Sequence, residues 1–373
     1  MVNRERLIEL FKELVMVDSE TGHERAIADI LKKKFSELGL EVVEDDSMVR
    51  TGHGAGNIIA TLEANVENAA KVIYFTSHMD TVTPGKAIKP EVEGEYIVSD
   101  GTTILGADDK AGIAAMLEAL AVIKEYNLSH GKIQFLITVG EESGLKGSKN
   151  LQEGLLQSEY GFAFDSNGPV GNIIVAAPTQ ARISATVHGR SAHAGVNPED
   201  GISAIQVASY AISKMKLGRI DNETTANIGR FEGGKATNVV CDRVDILAEA
   251  RSIKEEKLLR QIEHMKNAFD QAAQHFSTNV DFTYEIMYPA FHFSEADILV
   301  QNVKKAIEAI GREPKLITSG GGSDANVMNG LGIPTVNLGI GMENIHTTSE
   351  RIAIEELFKA TELIIQLIRQ YSK

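Results

Sequence analysis

Residues 111–126, AGIAAMLEALAVIKEY, repeat apolar side chains at helical spacing, and six residues later 133–139, IQFLITV, form a short, continuous apolar run. A helix that passes into a fully apolar strand points to a parallel sheet covered on both faces, because parallel strands need a crossover and the helices bury what they cross. The same rhythm extends outward. Upstream lie strand-like LEVVE (40–44), GNIIATLEA (56–64) and VIYFTS (72–77), preceded by helical patterns near 3–16 and 23–38; downstream, YGFAFD (160–165) reads as another strand.

From about residue 180 the rhythm changes to strand ARISATVHG, helix ISAIQVASYAISKM, strand TANIGRF, strand TNVVCDRVDILAEARS, helix EEKLLRQIEHMKNAFDQAAQHF and strand NVDFTYEIMY. That order, β-α-β-β-α-β, is a ferredoxin-like split unit. Beyond Pro289 the first pattern resumes with DILVQNVKKAIEAI, PKLIT, the glycine-rich SGGGSDAN, PTVNLGI and a last helix, IEELFKATELIIQLIRQY. The predicted fold class is α/β: a mostly parallel-sheet domain built from 1–178 and 289–373, interrupted by a ferredoxin-like insert at 179–288, with hinges near Ala177–Gln180 and Met287–Ala290. A chain of 373 residues exceeds what one hydrophobic core usually supports, which agrees with two domains.

Composition narrows the function classes. Hydrophobic residues make up 43% and charged residues 24%, ordinary for a folded globular protein. A formal charge of -15 argues against nucleic acid and anionic membrane as partners. The single cysteine, Cys241, excludes an internal disulfide scaffold. The start, MVNRERLIELFKELV, lacks a signal-peptide pattern, and no run approaches the roughly 20 apolar residues of a membrane helix. Cytoplasm is the expected compartment.

In open α/β sheets ligands sit beyond the carboxyl ends of the strands. Here those ends are unusually rich in imidazole and carboxylate. VIYFTS leads into His78 and Asp80, IQFLITVG into Glu141 and Glu142, GFAF into Asp165, and PTVNLGIGMENI into His346, while ILGADDKAGIAAM sets Asp108 and Asp109 at a helix mouth. Taken alone, most of them read more readily as a turn, a helix cap or a solvated pair. Together, at one edge, they point to one cause.

Two imidazoles with three or four carboxylates and no thiolate suit Zn²⁺, with Mn²⁺ or Co²⁺ also compatible. Two ions fit better than one, since four positive charges against three carboxylates leave an excess that activates water. In HxD the period of two turns both side chains to one side, so His78 can ligate while Asp80 fixes its tautomer. Adjacent Glu141 and Glu142 point apart at a strand end: one can ligate, and the other can carry a proton between water and leaving nitrogen. The residue pattern leaves open which does which.

At GTTILGADDKAGIAAM, with HMDT, VGEESG and the final His346, the chain resembles, over essentially its whole length, the co-catalytic dizinc family that includes peptidase T, glutamate carboxypeptidase and succinyl-diaminopimelate desuccinylase. The run T-x-LGADDKAGIA is closest to the peptidase T branch of tripeptide aminopeptidases. The stretch between HMDT and ADD is shorter than in peptidase T itself, and SAHAG and NIHTTSE sit nearer to the wider family, so the implied kind is peptidase T-like. The resemblance implies two Zn²⁺ per chain, with Asp108 bridging them, His78 and Asp165 completing one site, and Glu142 and His346 the other. It further implies Glu141 as general base, Asp80 as the carboxylate behind His78, and a cis Asp108–Asp109 peptide. His193 in GRSAHAGV would help hold the oxyanion, and Asn238 and Arg251 would contact substrate. The insert would act as a lid and as the interface of a homodimer. The implied substrate is a short peptide; a carboxypeptidase or N-acyl amino-acid deacylase of the same family, and a non-catalytic peptide-binding module, are the alternatives.

Overall fold

Phe75 stands at the centre of the main sheet, its ring 5.6 Å from Phe135, 5.5 Å from Phe162 and 6.1 Å from Phe164. These rings lie on neighbouring strands in parallel register, Ile133–Thr138, Ile73–His78 and Tyr160–Ser166, joined on the far side by Thr335–Gly339. Strands buried on both faces explain the continuous apolar runs in the sequence. In this computed structural model, which describes residues 1–66 and 71–372, antiparallel strands flank the parallel centre: Ile58–Leu62 and Glu41–Glu44 on one side, Asn172–Ala177 on the other.

The chain divides into two units: a larger one, Met1–Val175 with Phe293–Thr318 and Ser323 onward, and a smaller one, Ala176–His292 with Ser319–Gly322. In the larger unit the helix Ala107–Glu125 is buried along most of its length. It lies so close to the sheet that a Cβ on Gly112 would stand 2.2 Å from Ser77 Oγ and 2.6 Å from the Phe164 carbonyl oxygen. Glycine at 112 is therefore what lets the helix mouth reach the strand ends. A small antiparallel sheet orders Met342–Glu343, Arg351–Ala353, Tyr96–Val98 and Glu91–Glu93; its first two strands form a hairpin whose loop carries His346.

The smaller unit has the order β-α-β-β-α-β, with one short extra strand, Gly218–Asp221, at an edge. Its antiparallel sheet runs Gly218–Asp221, Thr224–Gly233, Arg243–Ser252, Thr179–His188, Val280–Tyr288, and the helices Ala204–Ser213 and Glu255–His275 pack against it around Phe269. One strand is shorter than its apolar pattern predicts. Residues 237–242 do not continue Arg243–Ser252, because their backbone groups bond to the neighbouring loop: Val240 N–H to Ala192 O at 3.0 Å, and Cys241 O from Ala204 N–H at 2.8 Å. Among the described residues no helix is long and apolar enough to cross a membrane.

Candidate active site

His78 is the last residue of its strand and is only 2% exposed. Its Nδ1 lies 2.9 Å from the backbone oxygen of Asp80 and 3.5 Å from that residue's carboxylate. A proton held on Nδ1 turns the Nε2 lone pair inward, the tautomer a metal ligand needs. The backbone carbonyl thus shares with the Asp80 carboxylate the orientation of the imidazole. Nε2 faces Asp108 Oδ1 at 3.0 Å and Asp165 Oδ1 at 3.7 Å.

The other oxygen of Asp108 faces a second imidazole, with His346 Nε2 at 3.2 Å, and Glu142 Oε1 is 2.9 Å from the same nitrogen. The structure therefore brings His78, Asp108, Asp165, Glu142 and His346 together as two triads sharing Asp108, and Glu141 joins His78 and Glu142 in a third grouping. The Asp108–Asp109 peptide is cis.

Donor spacing tests whether ions fit. A four-coordinate ion with bonds of about 2.0–2.2 Å holds its donors roughly 3.3–3.6 Å apart. The pairwise distances of 2.9–3.7 Å, an all nitrogen and oxygen donor set, and the two Asp108 oxygens turned to different imidazoles match a pair of neighbouring borderline cations. The cluster is a candidate metal site.

Its electrostatics also call for cations. Burial, reinforced by neighbouring carboxylates, raises Asp165 and Glu141 well above the usual carboxylate range. Burial alone would lower His78, but Asp108, Asp80 and Asp165 outweigh it and hold the imidazole well above its ordinary value. Asp108 and Glu142 lift His346 to about 10. Burial would raise Asp108 too, yet the two imidazoles hold it below its ordinary value. His346 is 49% exposed where His78 is 2%, so the site is closed at one end and open at the other.

The turn Gly140–Gly144 presents the two glutamates. Gly140 has φ 57°, and a Cβ there would meet His53 Nε2 at 2.3 Å. Asp80, fully buried, accepts the N–H of Glu141 at 3.0 Å, the N–H of Glu142 at 3.3 Å and the hydroxyl of Thr21 at 2.6 Å. Asp165 is fixed through its backbone by Asn337, whose amide accepts from Asp165 N–H at 3.1 Å and donates to its carbonyl at 3.0 Å.

The remaining sequence candidates lie in the smaller unit. His193 is exposed, its Nδ1 accepting from Gly195 N–H at 3.2 Å. Asn238 is exposed, its carbonyl accepting from Ala194 N–H at 3.0 Å. The Arg251 guanidinium is paired with Glu249 at 2.9 and 3.0 Å and donates to Gly320 O at 3.3 Å. Within SGGGSDAN, Ser323 and Asn326 close a capping box on the helix Asp324–Gly330. Sequence reasoning missed Thr21, Asn337 and Glu350; no periodicity marks them, and only proximity in the fold does.

The model of Peptidase family M20/M25/M40 matches residues 74–370. The chain is 57% identical to aminopeptidase PepT from Bacillus cereus ATCC 10987, with a TM-score of 0.93 and 100% of each chain covered. It is 47% identical to a tripeptidase from Staphylococcus aureus, with a TM-score of 0.96, covering 100% of this chain and 99% of that one. Peptidase T from Listeria welshimeri is 25% identical over 428 aligned positions, covering 99% of both. The chain therefore belongs to peptidase family M20/M25/M40 and is a peptidase T-like metallopeptidase.

Proposed function

We propose that the protein is a dizinc tripeptide aminopeptidase in which Glu141 moves the proton. The observation that carries this reading is the sharing of one carboxylate, Asp108, between two imidazoles 3.0 and 3.2 Å from its two oxygens. His78 and Asp165 would hold one ion, Glu142 and His346 the other, and Asp108 both. When bound, such a pair lowers the pKa of a water and polarises the scissile carbonyl. Mn²⁺ and Co²⁺ suit the same donors.

Glu141, raised by burial and by Asp165, is suited to take a proton from the attacking water and return it to the leaving amine. Asp80 positions both glutamates by holding their backbone N–H groups. For the smaller unit we propose that 179–288 acts as a lid and dimer interface, that Asn238 and Arg251 contact the peptide, and that His193 helps hold the oxyanion. Cytoplasm is the proposed compartment, supported by a lone cysteine.

The test compares wild type and Glu141→Gln for metal content and for turnover of a free tripeptide, its N-acetyl form and its C-terminal amide. We expect about two ions per chain in both proteins, hydrolysis only of substrates with a free amine, and a loss of kcat in the variant of roughly 10²–10⁴-fold. Wild-type turnover in the variant removes Glu141 as the base. Preference for the N-acetyl substrate replaces the aminopeptidase with a deacylase.

A further inference from the structure

We propose that Glu350 is a positioning residue for the ligand cluster: one buried carboxylate clamps the loop entering Asp108 and ties it to the hairpin loop that bears His346. The inference rests on the reading of Asp108 and His346 as ligands given above. Glu350 is 2% exposed. Its Oε2 accepts the N–H of Leu105 at 2.8 Å and of Gly106 at 2.7 Å, and its Oε1 accepts the N–H of Asp108 at 2.9 Å.

These three donors surround the mouth of the helix Ala107–Glu125, whose N-cap residue, Gly106, has no side chain to offer and sits at φ 75°. Leu105, Gly106 and Asp108 are themselves buried, so without Glu350 their N–H groups would lose their partner out of reach of bulk water, an arrangement folded proteins avoid. A carboxylate 242 residues away along the chain thus holds the entry to the helix, where the backbone of Asp108 and Asp109 departs from helical geometry.

The other end of the clamp is equally fixed. Glu350 lies four residues after His346 in the loop between Met342–Glu343 and Arg351–Ala353. Its own N–H donates to Thr347 O at 3.1 Å, and Arg351–Ala353 pairs with Tyr96–Val98. Glu350 therefore ties the loop entering Asp108 to the loop that carries His346, whose Nε2 lies 3.2 Å from Asp108 Oδ2. Only a carboxylate of this length completes the arrangement. The amide of glutamine turns an NH₂ toward at least one of the main-chain donors. Aspartate keeps the charge but is one methylene too short to reach all three.

The experiment uses the full chain as wild type, Glu350→Gln and Glu350→Asp, metal-free and with Zn²⁺. It reads amide hydrogen exchange, Zn²⁺ affinity by chelator competition, and kcat and KM on a tripeptide. In the metal-free variants, protection over residues 103–109 is expected to fall by about tenfold or more while Ile73–His78 keeps its protection. Zn²⁺ affinity is expected to fall 10–100-fold, the effect typical of losing a partner that orients a ligand. The loss of turnover should lie in kcat, with KM within about threefold of wild type. Unchanged protection at 103–109, unchanged Zn²⁺ affinity, or an equal loss of protection throughout the larger unit overturns the proposal. Should Glu350→Gln not fold, Glu350→Asp decides the matter. Should wild type bind no Zn²⁺, the ligand reading fails, and the clamp is then judged on exchange alone.

Discussion

Thr21 touches no ligand atom in the cluster, yet its hydroxyl is 2.6 Å from the carboxylate that holds both glutamate backbones. Replacing it with valine leaves a fully buried Asp80 short of one donor, which costs about 1–3 kcal/mol and loosens the Glu141–Glu142 turn. Thr21→Val should therefore lose stability by that amount in urea unfolding and lose kcat, and Thr21→Ser should restore both. A valine variant as stable and as fast as wild type would show that Asp80 is held by other means. His78, Asp108, Glu141, Glu142, Asp165 and His346, which the fold brings together, could be proposed from the sequence because each follows a recognisable strand or opens a helix. Thr21 and Glu350 could not. Their partners lie 59 and 242 residues away, and no local spacing rule links them.

At the scale of the element, helix Arg25–Glu37 is fastened to the edge strand Glu41–Glu44 by Glu44. Its carboxylate meets Arg25 at 2.6 and 2.9 Å, Lys32 at 2.6 Å and the N–H of Gly56 at 3.0 Å. Burial would raise Glu44, but Arg25, Lys32 and Gly56 overcome it and bring the group down to about 2. A depressed carboxylate stabilises the fold above its unfolded pKa of about 4.3, and that contribution is lost as pH falls from there through about 2. Glu44→Gln is thus expected to be less stable than wild type by about 1–2 kcal/mol at pH 7, a figure reduced for solvent screening. The gap should close as pH falls from about 5 to 2; a gap independent of pH in thermal denaturation would contradict it. Elements of this kind were legible where apolar periodicity was strong, as in Ala107–Glu125 and Ile133–Thr138. The strand expected from residue 237 begins at Arg243 because apolar Val239 and Val240 belong to a segment bonded to a loop, a tertiary choice that periodicity does not record.

At the scale of the whole molecule, two units with separate cores imply two unfolding steps once one core is weakened. Phe269, fully buried in the smaller unit, is the place to weaken it, and Phe269→Ala is expected to cost about 3–5 kcal/mol there. Calorimetry of the variant should show the smaller unit melting first while residues of the larger unit keep their exchange protection. A single shifted transition would mean that the units unfold as one. The interruption of one α/β pattern by another was visible as a change of rhythm near residue 180 and its return after Pro289. The transfer of Ser319–Gly322 to the smaller unit was not visible, since four residues of glycine and serine carry no pattern of their own.

The order in which the candidate ligand residues occur along the chain has a consequence for biosynthesis. Asp165 precedes the smaller unit, whereas His346 and its companion Glu350 follow it. A nascent polypeptide that has left the ribosome only as far as the insert holds four of the five candidate ligands and lacks the hairpin that brings the fifth, His346, into the second triad. On the proposed ligand set, the pair of ions can be held only once that hairpin has been made.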